Sequence, residues 1–136
     1  MLFRSDIGGS IRIPAAWNHL YGLKPSTGRF PTLNIRSGIP GQEYILSTNG
    51  PMSRHLETLQ LYCSAVLSDG MKVWRLDPKC LPIPWCKNVI QPPGRKLRLG
   101  ILGNHDFAVT CHPPVERALE ETKKALMDAG HDVFEW

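Results

Sequence analysis

The sequence predicts an α/β fold, and four stretches carry that prediction. Residues 97–102 form an apolar run, Leu-Arg-Leu-Gly-Ile-Leu, that is typical of a strand. Two prolines open a helical stretch at residues 113–129, and residues 131–136 start another strand. A second helix is predicted at residues 53–67, where apolar side chains recur at helical spacing. Strand, helix and strand in that order predict a right-handed βαβ unit over residues 97–136.

The first half of the chain is predicted to hold short elements between loops. In order, these are a loop at residues 1–12, a helix at 14–19, strands at 20–24 and 44–48, and irregular segments at 30–44 and 71–95. Pro25 and Gly50-Pro51 are the predicted ends of the two strands, since proline cannot donate to a sheet ladder. Trp74 and Trp85 are predicted to anchor the second irregular segment.

The two long helices carry recognisable end signals. Ser53 is the predicted N-cap of the first, because a serine hydroxyl can accept an N–H of the first turn. Cys63 lies on its apolar stripe, where a free cysteine behaves as a small hydrophobe. Gly130 fits the C′ position that ends the second helix.

Composition excludes several function classes. The 16 Lys and Arg residues exceed the 12 Asp and Glu residues by a surplus spread along the chain, so nucleic acid is not a predicted partner. The four cysteines form no Cys-x-x-Cys pair, which gives no metal site. A Gly-x-Gly-x-x-Gly fingerprint is also missing, and no cofactor is predicted. No signal peptide or membrane-spanning run is visible, which predicts a cytoplasmic protein.

The stretch at residues 5–16, Ser-Asp-Ile-Gly-Gly-Ser-Ile-Arg-Ile-Pro-Ala-Ala, reads as a nucleophile loop. Gly8 and Gly9 allow close backbone approach to a substrate. Successive N–H groups in such a turn can hold a developing negative charge while Ser10 attacks a carbonyl. A Gly-Gly-Ser tripeptide alone is more often an ordinary turn, so the longer pattern has to decide.

That longer pattern resembles the amidase signature family of serine hydrolases, in its acetamidase-like form. The matching motifs are Ser-Asp-Ile-Gly-Gly-Ser-Ile-Arg at 5–12, Pro14-Ala15, Gly-Leu-Lys-Pro-Ser-Thr-Gly-Arg at 22–29, Ile45-Leu46-Ser47 before Gly50-Pro51-Met52, and residues 96–136. The resemblance implies a mixed sheet covered by helices on both faces. It also implies hydrolysis of a small-molecule amide through a serine acyl-enzyme, by a Ser–Ser–Lys triad without metal or cofactor.

The resemblance assigns roles to residues of the loop. Ser10 matches the nucleophile, and the backbone N–H groups that match the oxyanion hole are those of Ile7, Gly8, Gly9 and Ser10. Asp6 and Arg12 match residues that brace the loop. Lys24 falls in a structural stretch and is not the expected base. The loop at residues 30–44 is expected to shape specificity.

The sequence departs from the family at the base. In the family, the catalytic lysine and the Gly-Ser-Ser-Gly-Gly loop with the bridging serine precede the nucleophile, whereas nine residues precede Ser10 here. Residues 1–136 are therefore expected to be a partial amidase domain without its N- and C-terminal parts, with an incomplete core and inactive alone. Two alternatives stay open: a non-catalytic remnant that binds a protein partner, and a tRNA amidotransferase subunit. The oligomeric state is not predicted.

Overall fold

A computed structural model describes residues 1–36, 41–86, 95–102 and 109–136. The chain divides into two compact units, Met1–Val89 and Ile90–Trp136. Its elements are strands β1 (Leu2–Asp6), β2 (Tyr21–Gly22), β3 (Thr48–Ser53), β4 (Arg98–Ile101) and β5 (Asp132–Glu135), helices α1 (Arg12–Trp17), α2 (Leu56–Val66) and α3 (Pro113–Asp128), and a 3₁₀ turn at Val73–Arg75. None of the described helices has the length and apolar character needed to cross a membrane.

The first unit is built on a three-stranded antiparallel sheet in the order β1-β3-β2. Strand β1 corrects the prediction of a loop at residues 1–12: Leu2 pairs with Met52 and Asp6 with Thr48. The prediction failed because β1 is held by β3, more than 40 residues away, and its own residues carry no local signal of a strand. The predicted helix at 14–19 begins two residues earlier, at Arg12.

The central strand β3 lies further along the chain than predicted. Gly50 and Pro51 were the expected end of a strand at 44–48, yet they occupy the middle of Thr48–Ser53. Pro51 keeps a ladder bond through its carbonyl, which accepts the N–H of Leu23 at 3.1 Å. Gly50 fits because an alanine Cβ there would overlap the carbonyl oxygen of Leu23. The close approach of Leu23 therefore requires glycine at position 50, and β3 tolerates Pro51, although local rules treat both residues as strand breakers.

Helices cover both faces of this sheet, as predicted. On one face, Met52 packs with Ile11 and Ala15 of the α1 region in a small buried cluster. On the other, the Phe3 ring of β1 lies 4.3 Å from the Tyr62 ring of α2. The larger buried cluster lies beside α2 and consists of Phe30, Cys63, Leu67, Val73 and Cys80. The prediction that Cys63 acts as a core hydrophobe is confirmed, because it is buried.

Helix α2 begins later than its sequence signal. Its N-cap is His55, which makes no side-chain capping bond, whereas Ser53 belongs to β3. The Ser53 hydroxyl accepts the N–H of His55 at 3.3 Å, so it stabilises the entry to the helix without being its cap. The described part of the irregular segment, residues 71–86, packs on the same core. Trp74 and Trp85 both contact the larger cluster, which confirms them as anchors.

The second unit has the predicted order of strand, helix and strand. Strands β4 and β5 pair in parallel, with Arg98 opposite Asp132 and Ile101 opposite Glu135, and α3 connects them. The two prolines occupy the first positions of α3, where a missing N–H costs nothing. Gly130 follows the helix with φ of 83°, which confirms its role at C′.

Candidate active site

The candidate site is the turn at residues 7–11, between the end of β1 and the start of α1. Its geometry is set by Asp6, the last residue of β1, whose side chain is fully buried. Oδ1 of Asp6 accepts the N–H of Gly9 at 2.7 Å, and Oδ2 accepts the N–H of Ile11 at 3.1 Å. The N–H of Arg12 also points to Oδ2, at 3.4 Å. One carboxylate thus closes the turn and accepts the N–H groups of Ile11, the N-cap of α1, and of Arg12, its first residue.

Arg12 completes the support of the turn with a two-pronged ion pair. Its Nε lies 3.1 Å from Oδ2 of Asp6, and its Nη2 lies 3.1 Å from Oδ1. The Arg12 guanidinium is the main reason that the pKa of Asp6 lies well below its usual range. The backbone N–H groups lower this pKa further, whereas burial of the carboxylate raises it. The carboxylate in turn raises the pKa of Arg12. The supporting pair expected from the resemblance is therefore formed.

Only one glycine of the pair needs to be glycine for the fold of the turn. Gly9 has a φ of 132°, and a Cβ there would lie 2.6 Å from Cδ1 of Ile13. Gly8 is outside the left-handed region, and a Cβ on it would meet nothing within 4 Å. Gly8 lies two positions before Ser10, and the open space beside it leaves room for a substrate to approach the backbone.

The structure gathers the predicted site residues into this one turn. Ser10 is half-buried, and Ile7 and Gly8 are exposed. Among the predicted oxyanion donors, the Gly9 N–H is directed at Asp6. In the described part of the chain, no internal acceptor is assigned to the N–H groups of Gly8 and Ser10. No hydrogen bond joins a basic side chain to Ser10 among these residues, and Lys24 is exposed.

Asp77 is a second buried carboxylate, and the sequence analysis missed it. It accepts the N–H of Thr32 at 2.6 Å and that of Lys79 at 2.9 Å. The N–H of Thr32 is the main cause that lowers the pKa of Asp77. An Asp-Pro-Lys sequence inside a proline-rich segment offers only a weak turn signal, so its long-range partner could not be anticipated.

Thr32 and Lys79 also line a cavity of about 540 Å³, together with Thr27, Gly28, Ile35, Gly41, Gln42, Glu43, Ile45, Leu46, Ser47 and Asn49. The described part of the 30–44 loop therefore borders an open space, although Ser10 is not among its lining residues. The cavity and the turn are distinct features of the first unit.

The two buried carboxylates predict a stability that falls in acid. The folded-state pKa of both Asp6 and Asp77 lies below the ordinary value of 3.8. A depressed folded pKa contributes stability above the unfolded pKa, and that stability is lost as pH falls. We expect the free energy of unfolding to be flat above about pH 5 and to fall steeply below about pH 4. Urea titrations across this range measure it. Asp77→Asn should make the fall shallower, and an unchanged slope would contradict the assignment.

Comparisons with known proteins match nearly the whole chain. The sequence profile of the family described as Amidase matches residues 4–136. The "Acetamidase" of Emericella nidulans is 42% identical over 136 residues, covering 97% of this chain and 24% of that protein. "Amidase 1" of Gibberella moniliformis is 44% identical over 133 residues, covering 97% of this chain and 25% of that protein.

A solved structure supports the same relationship. That of "Fatty acid amide hydrolase" superposes with a TM-score of 0.83 at 35% identity, covering 98% of this chain and 23% of that chain. The chain thus spans about a quarter of the length of the relatives it matches.

Proposed function

This chain belongs to the amidase family, and from that premise we propose that it carries the nucleophile and oxyanion half of an amide-hydrolysing active site. Ser10 is the attacking residue, and a small-molecule carboxylic amide is the substrate class. The observation that carries the proposal is the Asp6-braced turn, because it fixes a half-buried Ser10 near the exposed Gly8, whose N–H has no acceptor among the described residues.

The proposed chemistry is acyl transfer. The Oγ of Ser10 attacks the amide carbonyl carbon, the C–N bond breaks, and the amine leaves with a proton. Water then hydrolyses the acyl-serine to the carboxylic acid. N–H groups of the turn stabilise the negative oxygen of each tetrahedral intermediate. We assign this task mainly to Ile7, Gly8 and Ser10, since the Gly9 N–H already donates to Asp6 at 2.7 Å.

The base is the part of the mechanism that the described residues do not supply. A serine hydroxyl is a weak nucleophile and needs a base within hydrogen-bond reach. Family resemblance assigns that task to a lysine acting through a second serine, neither of which matches a residue of this sequence. We therefore propose that residues 1–136 alone hold the attacking atom without its activation.

The experiment is labelling with a fluorophosphonate probe, in which the serine Oγ bonds to phosphorus and fluoride leaves, followed by peptide mapping. At neutral pH we expect little labelling and no ammonia release from a simple aliphatic amide, because losing a triad member lowers turnover by roughly 10³-fold to 10⁶-fold. At about pH 10, hydroxide can take the place of the missing base. We then expect the label on Ser10 ahead of the chain's other serines, since Ser10 lies in the turn to which we assign the oxyanion donors.

Ser5 is the matched control residue, because it is also half-buried and lies five positions away, in β1. Ser10→Ala should remove the selective label, whereas Ser5→Ala should leave it unchanged. Equal labelling of Ser5 and Ser10 would contradict the proposed site and favour the non-catalytic remnant. Ammonia release at neutral pH that Ser10→Ala abolishes would show that the chain supplies its own base.

A further inference from the structure

Thr48 presents a buried hydroxyl that the fold does not use. The residue is 3% exposed, and its Oγ1 has no hydrogen-bond partner among the described residues. An unsatisfied buried hydroxyl costs free energy, whereas a valine of nearly the same shape would avoid that cost. A partner for this atom is therefore expected at this position.

The position of Thr48 places this hydroxyl under the candidate active-site turn. Thr48 lies directly opposite Asp6 in the antiparallel pair of β1 and β3. Side chains of directly opposed residues project from the same face, with Cβ atoms roughly 5 Å apart. The alternation of β3 puts Met52 on this face as well, and Met52 packs with Ile11 and Ala15.

Asp6 cannot be the missing partner. Its two oxygens already receive five hydrogen bonds from Gly9, Ile11 and Arg12. A carboxylate offers about four lone-pair sites, so this one is saturated. The Thr48 hydroxyl therefore needs another group that can donate or accept a hydrogen bond.

We propose that Thr48 holds an ordered buried water beneath the turn at residues 7–11. Buried waters typically make about three hydrogen bonds to polar groups that lack other partners. Oγ1 of Thr48 would supply one of them, and backbone carbonyl oxygens of the turn, which the oxyanion role does not use, would supply the others. This proposal is independent of the role of Ser10, because it rests only on the buried hydroxyl and the saturated carboxylate.

Two pairs of chains, each pair differing in the presence of the hydroxyl at position 48, test the proposal. Thr48→Val is compared with the natural chain, and Thr48→Ala is compared with Thr48→Ser, by urea denaturation. If the hydroxyl holds a water, each comparison should show at least about a fivefold loss in the folded-to-unfolded ratio. An orphaned hydroxyl gives the opposite sign, since valine and alanine would then equal or exceed their hydroxylated partners. That result would overturn the proposal.

A crystal structure of the natural chain supplies the direct readout. We expect water density within about 3.2 Å of Oγ1 of Thr48, and loss of this density in Thr48→Val. Contact with a protein atom in place of water would overturn the proposal. If Thr48→Val fails to fold, the comparison of Thr48→Ala with Thr48→Ser and the crystal structure of the natural chain still test the proposal.

Discussion

Gly50→Ala is expected to unfold the first unit or to lower its stability by roughly 3 kcal/mol or more. The new Cβ would overlap the carbonyl oxygen of Leu23 and would lie 3.0 Å from Cδ1 of Ile11. Leu23 is held there because its N–H donates to the carbonyl of Pro51. The overlap is with backbone, so no rotamer change relieves it, and the pairing of β2 with β3 has to open. Urea denaturation followed by circular dichroism measures the loss.

Gly8→Ala is the matched control for this prediction. It introduces the same methyl group at a glycine whose Cβ would meet nothing within 4 Å and whose φ is not left-handed. We expect its stability to stay within about 0.5 kcal/mol of the natural chain. If the two variants were equally stable, the close approach of Leu23 to Gly50 would be refuted.

The contrast between these two glycines shows what sequence reasoning could reach. Elements whose signals are local were found: the strand and helix around residues 97–136 have periodicity, opening prolines and Gly130 as end signals. Strand β1 and the true position of β3 were missed because their register depends on each other. Gly50 and Pro51 appear locally as a break in the strand. Gly50 is explained by the close approach of Leu23, which follows β2, and Pro51 is tolerated because its carbonyl accepts the N–H of Leu23.

The candidate site was predicted from its motif, because five of its residues are consecutive. Asp6 and Arg12 were expected to brace the turn, and their ion pair agrees with that. The hydrogen bond from the Gly9 N–H to the Asp6 carboxylate was not predicted, because a sequence gives residue types but no hydrogen-bond directions. The burial of Thr48 and Asp77 was missed because Thr48 pairs with Asp6 and Asp77 binds Thr32, in each case more than 40 positions away.

Asp6→Ala is expected to be the most damaging change at the site itself. It leaves the N–H groups of Gly9 and Ile11 without their acceptor and removes the partner of the Arg12 guanidinium. Because the Arg12 side chain is 56% exposed, its charge stays hydrated, and most of the loss comes from the two buried N–H groups, about 1–3 kcal/mol for each one left without an acceptor. The turn should also lose its shape, so the high-pH fluorophosphonate label should no longer favour Ser10.

Asp132→Ala is the control for charge removal alone. Asp132 forms an ion pair with Arg98 at 3.8 Å, and its side chain is 55% exposed. Exposed pairs contribute about 0–1 kcal/mol, so this variant should stay close to the natural chain. If Asp6→Ala cost no more than Asp132→Ala, the buried carboxylate would not be the brace of the turn. If Asp6→Ala kept the selective label on Ser10 while losing stability, the brace would serve the fold and not the site.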